Sequence, residues 1–441
     1  MPSSESSNSK KKNRADAGAA GGAGHSHGIF LAVWALRVLC GAVFIFSGWV
    51  KAIDPWGTVF KFNEYNQALG VSFPHELIVA GAFLLAAVEF ALGVMLLTGA
   101  FKRLSAWALA GFMAVMTPLT AWIYFTDPVA DCGCFGDALI ISNGATFAKN
   151  LVLLAAAVLL VLWNRRVKGI VKPAIQWVVL IFSLVYPLVL SLYGYTVQPL
   201  VDFRPFAVGE PVSDAASVPE PRYIYSKGGV EQAFVADSLP DDDEWTFVRR
   251  EEPAKNAKGS EIAILDADGD DITADLMDES ANGMMLLCVS EPAAHGISRS
   301  HMANQLYTYL DYRDIPMVAV VASDSIDAWV AMVGAQYPVY FADDTDIKTL
   351  VRGNAALVYV RNDTVQWKYS LYSIDPELLP EEDNNPGDNV ISTITPVEDN
   401  NILMYLTMAY IAVIIVIVAM SLVRVKPAKL RKAENKATDS H

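Results

Sequence analysis

Charge is scarce in this chain, and thiols are scarcer. Charged side chains make up 18% of the 441 residues and apolar ones 53%, with four cysteines in all, which argues against an ordinary soluble protein. No basic patch interleaved with aromatics occurs, so a nucleic-acid partner is not expected. No small-x-small cleavage site follows the first apolar run, which is too long for the core of a signal peptide and reads as an uncleaved anchor. No internal repeat is found. His25 and His27 lie in a Ser-, Lys- and Gly-rich tail (residues 1–28) expected to be disordered, and make no metal site. Asp266, Asp268 and Asp270 resemble the start of a calcium loop, but Asp271 stands at the glycine position and Met277 at the terminal carboxylate. A tight turn accounts for them better, and no metal is expected.

The apolar residues are gathered into six runs: Ile29–Val50, Leu77–Thr98, Leu104–Phe125, Phe147–Trp163, Ala174–Tyr195 and Ile402–Val423. Each is roughly 17–22 residues long, enough to cross a bilayer as a helix. The expected fold is therefore a membrane α-helical protein. A four-helix unit (29–165) is followed by a fifth span (174–196) and, after a long polar insertion, a sixth (402–423). Basic clusters alternate with the spans: Lys10–Lys12 and Arg14, Lys102 and Arg103, Arg165 to Lys172, and the tail 424–441. Basic loops stay inside, so both termini are expected in the cytoplasm of a bacterium, with residues 200–400 periplasmic and the chain in the inner membrane. Residues 200–401 carry 37 acidic and 13 basic side chains, so the net charge of −15 conceals an acidic outside and a basic inside. The basic ends suit anionic lipid, making the bilayer the first expected partner.

Within the insertion, residues 200–260 read as a linker with short strands at Arg222–Ser226 and Glu244–Arg249. Residues 261–375 read as a strand (Glu261–Leu265), a turn, a buried strand (Met284–Val289), a helix (Ser300–Tyr312), a second buried strand (Met317–Ala322), a helix (Ser325–Gly334) and a hairpin (Leu357–Val360 with Val365–Tyr369). That order predicts an α/β domain of thioredoxin-like type. The acidic stretch 376–401 leads back to the membrane.

The sharpest motif is Asp131-Cys132-Gly133-Cys134-Phe135-Gly136-Asp137, between the third and fourth runs. A bridge between cysteines separated by one glycine closes a very small ring, and strained disulfides are the exchange-active kind. Lys149, at the start of the next helix, could favour thiolate by its charge. A loop staple and a metal site remain open alternatives, with His75 as the one further ligand candidate on a neighbouring loop. Buried charge is the second signal. Arg37 lies about 12 Å into the first helix and Glu89 about 13 Å into the second, counted from their cytoplasmic ends, so the two are expected to pair. Cys40 reads as helix packing, with a relay thiol as the lesser alternative. Cys288, in an apolar strand, reads as buried and inert.

Further residues carry a resemblance: Arg37 with Phe46-Ser47-Gly48-x-x-Lys51-x-x-Asp54-Pro55, then Glu89, Met116-Thr-Pro-Leu-Thr120, Asp127-Pro128, the cysteine box, and Asn143 to Lys149-Asn150. Through them residues 31–154 resemble the DoxX/MauE family of four-helix membrane proteins. MauE is implicated in forming disulfides of a periplasmic enzyme subunit during methylamine utilisation, and DoxX relatives in thiosulfate:quinone electron transfer. The resemblance thus implies periplasmic thiol redox with Cys132 and Cys134 as the carried-over pair, a protein thiol or disulfide as partner, and quinone as a candidate acceptor. It does not imply methylamine as substrate. In the insertion, Ala342-Asp-Asp-x-x-x-Lys348-Thr-Leu-Val-Arg352-Gly-Asn354 looks like the thioredoxin-like element of relatives that carry an outer domain. Ser290–Gly296, where such a domain places Cys-x-x-Cys, holds no thiol, and Asn354-Ala355-Ala356 stands where its cis-proline is usual. The expected function is a membrane thiol–disulfide redox protein; the rival is a non-enzymatic scaffold whose outer domain binds a partner. A transporter ranks third, because broken helices and a paired repeat are missing.

Overall fold

The computed structural model describes residues 5–129, 131–163, 169–212, 222–227, 230–234, 245–251, 262–290, 297–322, 326–374 and 399–422. Its helical part comprises α1 (Glu5–Ile53), α2 (Pro55–Leu69), α3 (His75–Thr98), α4 (Lys102–Thr126), α5 (Asn143–Trp163) and α6 (Gln176–Thr196), and a last helix near the C-terminus. Among the described residues six helical stretches are long and apolar enough to cross a membrane: 28–53, 75–98, 102–126, 143–163, 173–196 and 401–421. The backbone of α1 continues upstream to Glu5, through the tail expected to be disordered. Ala and Lys, frequent there, have high helix propensity.

Helix α2 has no counterpart among the expected spans. Its signals are local: Asp54 accepts a hydrogen bond from the Gly57 amide (3.1 Å), Pro55 occupies the first turn, and Gly70 ends the helix at φ 65°. It is too short and too polar to cross, so it lies at one end of the bundle. Helices α1 and α3 approach closely along small residues. A Cβ on Gly48 would lie 2.4 Å from the Phe90 amide nitrogen, and one on Gly93 would lie 2.7 Å from the Gly41 carbonyl oxygen. Close backbone contact of this kind replaces the hydrophobic drive that is missing between helices in lipid.

Among the described residues the insertion holds two sheets. One is antiparallel, in the order β2-β1-β3, from β1 (Arg222–Lys227), β2 (Val230–Phe234) and β3 (Thr246–Glu251). The other is a five-stranded mixed sheet in the order β6-β5-β4-β7-β8. Its strands are β4 (Met284–Val289), β5 (Met317–Val321), β6 (Val339–Phe341), β7 (Ala356–Arg361) and β8 (Thr364–Ser370). Helices α7 (Thr273–Asp278), α8 (Ile297–Asp311), α9 (Ile326–Val333) and α10 (Asp344–Leu350) join and flank them. The chain then ends its described part in α11 (Asp399–Leu422). Strand β4 is buried along its whole length because both faces are covered. Met285, Leu287 and Val289 meet α8 and α9, whereas Met284, Leu286 and Cys288 meet Leu276, Ile347 and Leu350 of α7 and α10. The foreseen hairpin is present, with Asn362 and Asp363 at φ 49° and 59° in its turn. The peptide bond between Asn354 and Ala355 is cis.

Two expectations change here. The strand expected at 261–265 reduces to bridges from Leu265 to Asp271 and Phe341, because the Asp266 carboxylate turns the chain by accepting from the amides of Asp268 and Asp270. The stretch after α6 is not a free linker. Phe206 and Val212 are buried in the sheet core, and Val212 donates its amide to the Asp363 carbonyl. The segment 291–296 and the acidic and basic stretches at 376–398 and 424–441 lie outside the described residues.

Candidate functional site

The cysteine loop is shaped by its ends. Asp127 closes α4 in the left-handed region (φ 46°), and Asn143, at the start of α5, donates to its carboxylate (2.9 Å) and to the Val129 carbonyl (3.3 Å). The loop is thereby cinched and folds back over the bundle. Asp131 accepts from the Gly133 amide (2.7 Å), and Gly133 adopts φ 67° with Lys61 packed over it. A side chain at 133 would be strained in that conformation and would strike the Lys61 methylenes.

This turn sets the Cys132 and Cys134 sulphurs 2.9 Å apart as free thiols. Cys132 is buried, and the Tyr65 hydroxyl donates to its carbonyl (2.8 Å). Beneath Cys134 lies a buried polar knot. Lys51 donates to Ser47 (2.8 Å), to Glu89 (3.0 Å) and to the Cys134 carbonyl (2.5 Å), while Ser47 lies 2.8 Å from Glu89 and 2.6 Å from that carbonyl. A cavity of about 30 Å³ opens next to Cys134 among α1, α3, α4 and α5, bordered by Glu89, Lys149, Phe112 and Met116. Lys149 also sits over the Phe135 ring, 4.2 Å from its centre.

The two thiols are not equivalent. The hydrogen bond from Cys132, followed by the charges of Lys149 and Lys51, draws Cys134 below the ordinary thiol range against the opposing effect of burial. Cys132, giving that hydrogen bond and buried beside a thiolate, is pushed up and keeps its proton. Proximity of two sulphurs with opposite tendencies is what stepwise thiol–disulfide exchange requires.

The expected Arg37–Glu89 pair is corrected. Glu89 is held by Lys51 and Ser47, and Arg37 stacks on Trp34 at 5.0 Å and reaches Gly99. The cause is register. Helix α3 ends level with Arg37, so Glu89 sits level with Ser47, ten residues or about 15 Å farther along α1. Cys132 and Cys134 lie side by side, and Lys149 borders the same cavity as Cys134. His75 is elsewhere, bonded to the Tyr195 hydroxyl (3.0 Å), and Cys288 lies in the separate sheet core. Among the described residues no group of three or more His, Cys, Asp or Glu could hold a metal ion. Lys51, Ser47 and Tyr65 are further site residues, and the four-residue spacing of Ser47 and Lys51, which places both on one face of α1, is the signal for two of them in the sequence.

The sheet domain meets this site directly. Arg352, in the turn between α10 and β7, binds Asp54 (2.9 Å) at the end of α1 and also binds Asp137 of the cysteine loop. Arg204 caps α10 by donating to the Lys348, Thr349 and Val351 carbonyls, and Lys368 pairs with Asp202 (2.7 Å).

Residues 29–163 match the family model described as "Methylamine utilisation protein MauE". Residues 219–255, which contain the three-stranded sheet, match a domain of unknown function, DUF8463. No curated protein and no solved structure matches the chain. The helical bundle that carries the cysteine loop is a MauE-like domain, and the chain is a multi-pass membrane protein with an added domain containing a mixed sheet.

Proposed function

We propose that this chain is a membrane thiol–disulfide redox protein working through Cys132 and Cys134. The observation that carries the reading is the sulphur pair at 2.9 Å with cationic Lys51 and Lys149 around Cys134. In the oxidised form, a partner thiolate attacks the Cys132–Cys134 bond and forms a mixed disulfide. A second partner thiolate resolves it, leaving the partner disulfide and two reduced cysteines. Reoxidation passes two electrons and two protons to a carrier, for which a quinone in the bilayer is the candidate acceptor. Cys134 is the better leaving group of the pair because the charges of Lys149 and Lys51 favour its thiolate.

The basic clusters support an orientation in the inner membrane with both termini cytoplasmic and the sheet domain periplasmic. We assign the mixed sheet a thioredoxin-like ancestry. It has three parallel strands, an antiparallel hairpin and intervening helices, but its buried Cys288 leaves it without a dithiol of its own among the described residues. A role in methylamine utilisation, as the matched family's description has it, would enter through the partner.

The rival reading is a membrane scaffold in which the cysteines only brace the loop, and the burial of Cys132 favours it. Trapping separates the two. In a single variant the remaining thiolate attacks a partner disulfide and expels the partner's other cysteine as thiolate, so Cys132→Ala and Cys134→Ala, expressed in cells and acid-quenched, should each accumulate a mixed disulfide that is lost in the double variant. Absence of any such adduct, with wild-type growth and partner oxidation in the double variant, would leave the scaffold.

A further inference from the structure

The ionic contact between the sheet domain and the cysteine loop goes beyond tethering. Arg352 is buried, with a side chain only 5% exposed, yet it belongs to neither the bundle nor the sheet core. Its guanidinium joins two carboxylates from different parts of the bundle: Asp54, which caps α2 at the end of α1, and Asp137, three residues beyond Cys134. The turn carrying it is secured on both sides. Gln198, after α6, donates to the Arg352 carbonyl (2.7 Å), and the Trp56 ring lies against Gly353. So many fixed partners are more than a tether between a membrane unit and a passive domain needs.

We propose that Arg352 is a positioning residue for the Cys-Gly-Cys loop, so that the docked sheet domain sets the reactivity of Cys134 in the exchange proposed above. Two effects act in the same direction. With Arg352 in place the Asp54 and Asp137 charges are compensated and Gly136–Ala138 is pinned over the bundle, leaving Cys134 against Lys51. Without it, two carboxylates that share one cation repel each other, Asp137 becomes an unpaired anion near Cys134, and the loop shifts away from the lysines.

The charged groups facing Cys134 are Lys51 from α1, Glu89 from α3, Lys149 from α5 and Cys132 on its own loop. Helix α2 presents Tyr65 and Lys61 to the preceding residues, and α4 presents apolar Leu119 and Trp122. Around Arg352 stand Asp54, Asp137, Asp202 and Arg204. Apart from Asp137, the groups facing Cys134 are untouched by substitution at 352.

The test is the pH profile of iodoacetamide alkylation of the reduced full-length protein in detergent, read by mass spectrometry on the peptide that contains Cys132 and Cys134. Arg352→Ala should raise the midpoint for Cys134 by about one pH unit or more, equivalent to roughly tenfold less thiolate at a pH below both midpoints. Arg352→Lys keeps a charge that cannot span both carboxylates and should give about half that shift; it carries the test if the alanine variant fails to fold. Asp137→Asn added to Arg352→Ala should recover part of the shift. Lys368→Met, which breaks the Lys368–Asp202 ion pair, should leave the midpoint in place. Midpoints within about 0.3 unit of wild type in both Arg352 variants, or an equal shift in Lys368→Met, would overturn the proposal. Alkylation needs neither partner nor electron acceptor, so it stands or falls separately from the exchange activity.

Discussion

Two cysteines of this chain are buried in opposite ways. Cys288 is enclosed in the apolar core of the mixed sheet, where burial pushes its thiol up to about 12. Cys134 is half-buried at the end of the MauE-like bundle, where burial acts in the same direction but is outweighed by the Cys132 hydrogen bond and two lysines. The difference teaches that burial alone does not silence a thiol. What decides is whether the burying elements supply donors and cations. In the sheet domain the charge of Lys368 pulls the Cys288 thiol the other way but is outweighed by burial, whereas the bundle concentrates Ser47, Lys51 and Glu89 beneath one loop.

The comparison breaks most severely if the bundle's charge is unbalanced. Lys51→Met leaves Glu89 buried without its cation, and loss of one partner of a buried pair costs about 3–5 kcal/mol. We expect a large fall in the thermal midpoint of the detergent-solubilised protein, mostly recovered by adding Glu89→Gln. If Lys51→Met unfolds at the wild-type temperature, the polar knot is not a structural element.

The domain side is sharpened by pH. Asp202 is partly buried, and that desolvation would raise its pKa, but Arg204 and Lys368 prevail and bring it to about 2. A carboxylate held below its unfolded value of about 3.9 contributes stability that is full above that value and is lost as pH falls toward 2. The shift corresponds to about 2 kcal/mol. Asp202→Asn should therefore lower stability at pH 6 and make little difference near pH 2, as measured by thermal unfolding at the two pH values. An equal loss at both would contradict the assignment.

At the thiols, Cys132→Ala removes the hydrogen bond to Cys134. The Cys134 midpoint should move up toward the ordinary thiol value of about 8.5, slowing its alkylation at pH 7 by roughly tenfold. A rate that stays the same or rises would shift the explanation to the lysines alone. The smallest effect belongs to the other region. Cys288→Ala should cost on the order of 1 kcal/mol and leave alkylation of the loop unchanged, with Cys288 itself labelled only after denaturation. Labelling of native Cys288 would remove the contrast.

Much was legible before any coordinates. Apolar runs of bilayer length mark six spans because a helix in lipid must satisfy its own backbone and present apolar side chains throughout. Buried strands, the Asp266 turn and the Asn362–Asp363 hairpin could be read for similarly local reasons. Helix α2 has its start and stop signals in Asp54-Pro55 and Gly70, but its composition resembles a loop between two spans. The site was half-legible. Cys132, Cys134 and Lys149 are close in the chain, and the loop between α4 and α5 keeps them close in space.

What the sequence by itself determined, then, was which segments enter the membrane and which loop carries the thiols, since both follow from composition and short-range spacing. Which charge meets which was decided only by the tertiary structure. Counting depth from each helix end paired Glu89 with Arg37, but close packing of Gly48 and Gly93 sets the α1–α3 register and gives Glu89 to Lys51. Arg352 reaches Asp54 across 298 positions of sequence, a contact that exists only because the sheet domain folds and then docks. Side-chain pairing over such separations depends on helix register and domain placement, and neither is encoded in any local run of residues.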